Sequence, residues 1–307
     1  MEPRLIDKIV NAAGNLENHV VCEVGPGPGG ITRSIIQRAP RKVILIEKDP
    51  RFIPSLELLA DACRDKVDLD IIPGDILKTD IAQYVPSDIK TEWHDSPPPL
   101  HLIGNLPFSV STILIIRWLE MMSKQEGPWI LGRTRMTLTF QKEVAERMAA
   151  RILDRQRCRL SVMCQNWCSV KYKFDISGAS FLPKPDVDVG VVTLTPLKTP
   201  IIKQPFKMVE KVVRQIFSMR QKYSIRGAQT LFPPEVREEM ALRMYKMADI
   251  DPVTRPFQIA NAEFARIVDA YAEIVKEYPE LEHYDYRAPK NNQKIEEDAT
   301  AEEQVVI

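Results

Sequence analysis

The run VVCEVGPGPGG, residues 20–30, decides how this chain folds. Its opening residues are short, mostly apolar and β-branched, as a buried strand requires; glycines and prolines then stop it, and ITRSIIQ (31–37) continues with helical spacing. The same form returns in KVILIE (42–47), VDLDII (67–72) and LHLIGN (100–105). A helix-like RFIPSLELLADAC (51–63) precedes the third run, and a longer Pro-rich excursion (80–99) precedes the fourth. Buried apolar strands alternating with helices predict a parallel sheet covered on both faces. Right-handed crossovers then bring every strand C-terminus to one edge.

Beyond residue 105 the spacing predicts a helix in STILIIRWLEMM, a Thr-rich strand over 134–140 and a charged helix in QKEVAERMAARI (141–152). KYKFDI (171–176) and VDVGVVTLTP (187–196) follow a further helical segment and read as an antiparallel pair that closes the sheet. The expectation is an α/β fold: a seven-stranded Rossmann-like sheet over residues 1–198 and a small all-α domain over 199–280. Pro200 and Pro205 flank the boundary, and MVEKVVRQIF, PPEVREEMALRMYKMA and NAEFARIVDAYAEIVKEY carry apolar residues at three- and four-residue spacing. Residues 281–307 hold seven acids and three bases and are expected to form an acidic, disordered tail.

At 307 residues, 44% hydrophobic and 27% charged, the chain has the composition of a globular protein with a full core. Formal net charge is zero, yet bases are unevenly spread: eight against three acids between residues 133 and 159, and seven against one between 203 and 226. Such runs are ordinary solvated helix faces, but two together favour a phosphate-bearing partner. Five scattered cysteines argue for reduced thiols, and no pairing of Cys or His has zinc-site spacing, so no metal is expected. Cys164 and Cys168, four apart, would share a helix face. The uncharged run 96–116 is broken by prolines, Gly104 and Asn105, which argues against a membrane span.

Candidate chemistry gathers at the expected strand ends. Gly25, Gly27 and Gly30 satisfy G-x-G-x-x-G, and Glu47 ends the second strand about twenty residues on. A carboxylate there accepts the hydroxyls of a ribose, which NAD and S-adenosyl-L-methionine share, so this pair of strands does not choose between them. Glycines that merely make a tight turn are the plainer reading. The third strand ends in Gly74-Asp75-Ile76, where Asp75 can accept an adenine amine and the Ile76 N–H can meet a ring nitrogen; a Gly-Asp turn or an N-cap would look the same. The fourth ends in Asn105-Leu106-Pro107-Phe108. Two acceptors, the Asn105 side-chain oxygen and the Leu106 carbonyl, aimed at both N–H bonds of a ring-attached amine would draw its nitrogen towards tetrahedral geometry and free the lone pair. Pro107 stiffens that carbonyl, and Phe108 offers a face for a base. Asn105 as a helix cap and Phe108 as core are the opposing reading.

Taken together, EVGPGPGG, IEKD, GD and NLPF, with TFQKEVAERM, FLPKPDVDVG and the helical C-terminal region, resemble the S-adenosylmethionine-dependent adenine-N6,N6 dimethyltransferases of small-subunit ribosomal RNA. RFIP, GNLPFSVST, GRTRMTLTFQKEVAER and ADIDP are similar to the mitochondrial branch, whose members are also described as transcription factors. The resemblance implies S-adenosyl-L-methionine as cofactor, held through Glu23, Gly25, Gly27, Glu47, Lys48, Asp75, Ile76 and Asn105. It implies a catalytic set of Asn105, Leu106, Pro107, Phe108 and Phe181, with Phe108 and Phe181 bracketing an extruded adenine. It further implies a monomer that acts on two adjacent adenines in a small-subunit rRNA hairpin or pre-ribosomal subunit, in mitochondria, with both basic runs on RNA phosphates. A nucleic-acid-binding or transcription factor that keeps the fold without catalysis is the alternative. Family members carry a Gln-Asn-Phe-Leu arm ahead of the first strand, whereas MEPRLIDKIV resembles the helix after it; a start here would weaken cofactor binding. Gln221 stands where the family has arginine.

Overall fold

The computed structural model describes residues 2–106, 108–181 and 187–288, except the side chains of Phe108 and Ser109. Two compact units result, residues 1–206 and 207–307.

The first unit is one mixed seven-stranded sheet. After helix α1 (Pro3–Ala12) come β1 (Val20–Val24), α2 (Gly30–Ile36), β2 (Lys42–Glu47), α3 (Ile53–Cys63), β3 (Asp68–Pro73), β4 (Leu100–Asn105), α4 (Phe108–Ser123) and β5 (Arg135–Gln141). Then follow α5 (Lys142–Ala149), α6 (Arg159–Trp167), β6 (Cys168–Ile176) and β7 (Val189–Pro196). Strand order is β3-β2-β1-β4-β5-β7-β6, parallel except for the antiparallel pairs β5–β7 and β6–β7. Every residue of central β1 is buried, which explains its apolar run, broken only by Glu23. The edges are polar instead: Lys42 reaches Asp68 at 2.8 Å and Asp70 at 2.7 Å beside β3, and β6 alternates exposed and covered residues. Charge on an edge strand blocks pairing with another chain.

On one face α1 lays Ile9, Val10 and Ala13 against Val21, Val43, Leu45 and Ile103, and Val189 and Val191 complete that core. On this framework the anticipated elements appear, with two corrections. Cys164 and Cys168 do not share a helix face: α6 stops at Trp167, and Cys168 is already extended and paired with Pro196. The pull comes from the strand-forming sequence that follows, which a four-residue spacing does not reveal. Helix α5 also ends earlier than its charged pattern implied, at Ala149. The Ala150 carbonyl is drawn away by Gln165 Nε2 at 2.9 Å and by the buried Arg157 at 3.3 Å.

In the second unit α7 (Phe206–Phe217), α8 (Ser224–Ala228), α9 (Arg237–Ala248) and α10 (Asn261–Glu277) enclose a separate core. Phe217 stacks on Phe264 with centroids 5.8 Å apart, and Phe232 meets Tyr271 edge-on at 5.9 Å. Leu281 is buried past α10, because Tyr271 Oη and Lys211 Nζ both donate to its carbonyl. The acidic tail beyond residue 288 lies outside the described residues. Among the described residues no helix is long and apolar enough to cross a membrane.

Candidate active site

Adjacent strands β3, β2, β1 and β4 end side by side, and that edge collects Asp75, Glu47, the glycine loop and Asn105. Open parallel sheets bind ligands in this crevice. The loop turns because Gly25 and Gly27 hold φ of 66° and 56°, values that side chains rarely adopt. Gly25 N–H donates to the Ile46 carbonyl at 2.9 Å, lacing the loop to β2. A methyl group built on Gly25 would stand 4.0 Å from the Asn105 carbonyl oxygen, so the ends of β1 and β4 face each other closely.

Glu47 is held at both oxygens, by the Gly27 N–H at 2.9 Å and the Asp49 N–H at 2.7 Å, and only 7% of it is exposed. Its carboxylate is thus aimed before any ligand arrives, with lone pairs left over for hydroxyl donors. Glu23, one residue before the end of β1, is 1% exposed and accepts from Thr32 Oγ1 at 2.6 Å. Burial, reinforced by the nearby Glu47 charge, pushes its carboxyl up to about 8. Thr32 sits one turn into α2 and was invisible as a partner in the sequence; only the folding-back of α2 on β1 makes the pair.

Lys48 does not stand apart beside Glu47. It bonds to Asp75 Oδ2 at 2.8 Å, while Asp75 Oδ1 accepts from the Leu77 N–H at 3.0 Å. The Lys48 ammonium, followed by the Leu77 N–H, holds the Asp75 carboxyl below the usual carboxylate range. The turn reading and the acceptor reading of Asp75 are therefore compatible, since each oxygen keeps a free lone pair. Ile76 and Leu77, with Arg117, Trp118 and Met121, line a cavity of about 110 Å³ beside it.

Asn105 is half-buried at the tip of β4, and its Oδ1 accepts from Thr139 Oγ1 at 2.7 Å. Leu106 is buried, Phe108 opens α4, and Pro107 and the Phe108 side chain lie outside the described residues. Phe181 follows a short 3-10 turn, half-buried, and packs against the core under α1. Its neighbours Pro183 and Pro185 lie outside the described residues. No group of His, Cys, Asp and Glu among the described residues could hold a metal ion.

The two basic runs differ. In the first, Arg133 is 9% exposed and donates to the carbonyls of Trp93, Asp95 and Pro196 at 2.6–3.0 Å; Arg157 is 2% exposed; Lys142 pairs with Asp175 at 2.8 Å. Burial rules Arg133 and Arg157 out of the expected RNA-facing run, whereas Arg151 and Arg155 are exposed. Arg133 was misread because a guanidinium can fasten several loop carbonyls at once. In the second unit Lys222, Arg226 and Arg255 surround a cavity of about 520 Å³ with Met219, Gln221 and Tyr223. These three bases are exposed.

Residues 1–273 match the family model described as ribosomal RNA adenine dimethylase. Over 305 residues the chain is 51% identical to a human protein named dimethyladenosine transferase 1, mitochondrial, spanning 97% of this chain and 88% of the relative. A Drosophila melanogaster protein of the same name is 49% identical, over 95% of this chain and 86% of its own length. Among solved structures, a dimethyladenosine transferase from Plasmodium falciparum superposes with a TM-score of 0.68 at 22% identity, covering 89% of this chain and 96% of that one. The 23S rRNA methyltransferase ErmE gives 0.61 at 20% identity, covering 88% and 98%. These two structures bear on the fold alone. With the family model matching from the first residue to deep within α10, and half of all positions identical to relatives of nearly equal span, the chain belongs to the ribosomal RNA adenine dimethylase family.

Proposed function

We propose that this protein dimethylates the N6 amines of two adjacent adenines in a hairpin loop of small-subunit ribosomal RNA, in mitochondria, with S-adenosyl-L-methionine as cofactor. One observation carries the reading: four neighbouring strands end in a glycine loop, a doubly anchored carboxylate, a second carboxylate and an amide, all on one edge. The mitochondrial setting rests on the names of the relatives.

The residues fit the cofactor. Glu47 would take the ribose hydroxyls, Asp75 and the Ile76 N–H the adenine, Glu23, Gly25 and Gly27 the methionine side, with Lys48 holding Asp75 in place. When bound, S-adenosyl-L-methionine supplies a methyl group made electrophilic by its sulfonium. Asn105 Oδ1 and the Leu106 carbonyl accept the two N–H bonds of the target amine. This localises the nitrogen lone pair, and the proton displaced on each transfer passes to water. After the first transfer one N–H remains, so a single acceptor of the pair suffices for the second. Phe108 and Phe181 stack on the base once it is extruded from the loop, because a stacked amine cannot reach the crevice. Lys222, Arg226 and Arg255, with Arg151 and Arg155, take RNA phosphates.

The test is Asn105→Ala. Methyl incorporation into a hairpin RNA is expected to fall at least a hundredfold while RNA retention stays within about twofold. Surviving incorporation would overturn the amine-activation argument. Calorimetry is expected to detect S-adenosyl-L-methionine and not NAD; heat from NAD alone would reverse the cofactor assignment.

A further inference from the structure

An asparagine amide is a poor tool unless something holds it. Its terminal torsion is broad and roughly two-fold, so a free Asn105 would present its oxygen and its NH₂ group to the crevice alternately. Only the oxygen can accept from an amine. Asn105 sits on the last residue pair of β4 and β5, directly beside Thr139. Thr139 is wholly buried, and its Oγ1 donates to Asn105 Oδ1 at 2.7 Å.

A threonine suits this task for two reasons. Its β-branch stiffens χ1 in a strand, so the hydroxyl is a fixed post and not a swinging one. It also donates one hydrogen while the carbonyl-type oxygen it serves has two lone pairs, so Oδ1 keeps one for the substrate. On its face of β5 Thr139 is followed two residues away by Thr137, also wholly buried, whose Oγ1 lies 2.9 Å from His101 Nε2, so each buried hydroxyl of this face meets a polar side chain of β4; Val191, paired with Thr139 across β7, is buried and apolar. A valine would fill the site equally well by shape, so the oxygen is surplus to packing.

We infer that Thr139 is a positioning residue for methyl transfer, its hydroxyl locking the Asn105 amide with the oxygen turned towards the target amine. This rests on the proposed role of Asn105. No proton is taken or given by Thr139, and it need touch neither cofactor nor RNA. Removing the hydroxyl frees the amide to rotate, so that part of the population offers NH₂ to an amine and is unproductive.

Two substitutions separate orientation from packing. Thr139→Val keeps the shape and deletes the donor; Thr139→Ser keeps the donor and deletes the methyl group. Under single-turnover conditions with saturating S-adenosyl-L-methionine, Thr139→Val is expected to lower the methylation rate about tenfold. Its KM for hairpin RNA, its cofactor affinity by calorimetry and its melting temperature should be unchanged. Thr139→Ser is expected to methylate within about threefold of the parent even where it melts lower. If Ser loses as much rate as Val, packing is the cause and the inference falls. A parent-like rate in Val also overturns it, and should Val fail to fold, Thr139→Ala is compared with Ser in the same way. Asn105→Ala run alongside keeps the layers distinct: full activity there sinks the reading of Asn105 itself, whereas collapse there with an active Thr139→Val sinks only this inference.

Discussion

A carboxyl group inside a sheet is costly, and Glu23 shows how the cost is met. Its proton is retained up to about pH 8 in the folded state, whereas an unfolded carboxyl releases it near 4.5. The folded protein therefore binds more protons than the unfolded chain between those limits, and stability falls as pH rises through that window. Glu23→Gln preserves an acceptor for Thr32 and removes the titration. Melting temperature measured from pH 5 to 8.5 is expected to decline in the parent and to flatten in the variant, which should be the more stable of the two at pH 8. Lys48 makes the opposite case, since its ammonium is largely exposed and the pair with Asp75 is worth little in stability. Its value is in orientation, so Lys48→Met is expected to weaken S-adenosyl-L-methionine binding several-fold by calorimetry while leaving denaturation midpoints unchanged.

At the level of elements, tight approach is what the small residues secure. A methyl group on Gly227 would lie 2.4 Å from the Gln215 carbonyl oxygen and 2.6 Å from that of Ile216. Both are main-chain atoms, so α8 could accept a side chain only by moving off α7. Gly227→Ala is expected to destabilise the helical unit by about 1–3 kcal/mol, read as a lowered midpoint in urea. The excursion from β3 to β4 is pinned in a different way, by the Arg133 guanidinium on the Trp93 and Asp95 carbonyls, with a third bond to the Pro196 carbonyl at the end of β7. Arg133→Gln leaves buried acceptors without donors, at a cost of about 1–3 kcal/mol. The salt dependence of RNA binding should not change in that variant.

For the whole molecule, zero net charge conceals a division between bases that hold the fold and bases that face solvent. Replacing Lys222, Arg226 and Arg255 one at a time by Gln is expected to weaken RNA binding alike for all hairpin sequences. Each should reduce the slope of log affinity against log salt by about one. A filter-binding series from 50 to 300 mM salt checks this, and an unchanged slope would remove that cavity from the RNA surface. Gln221, already neutral and lining the same cavity, offers the reverse experiment: Gln221→Arg should steepen the slope.

Much of this protein was legible before any coordinates. Strand apolarity, glycine punctuation and the fourfold occurrence of one pattern predicted the parallel sheet and the edge on which the candidate residues gather, because these are local consequences of backbone sterics and burial. Glu47, Asp75 and Asn105 could be singled out for the same reason: each sits where its own strand must stop. What no periodicity contains is the identity of neighbours across the sheet. The Thr139 hydroxyl on Asn105, the Thr32 hydroxyl on Glu23, the Lys48–Asp75 pair and the inward turn of Arg133 join residues 9 to 63 positions apart. Such pairings follow from strand order and helix crossover, which long-range packing alone decides, and they determine which way an amide or a guanidinium points.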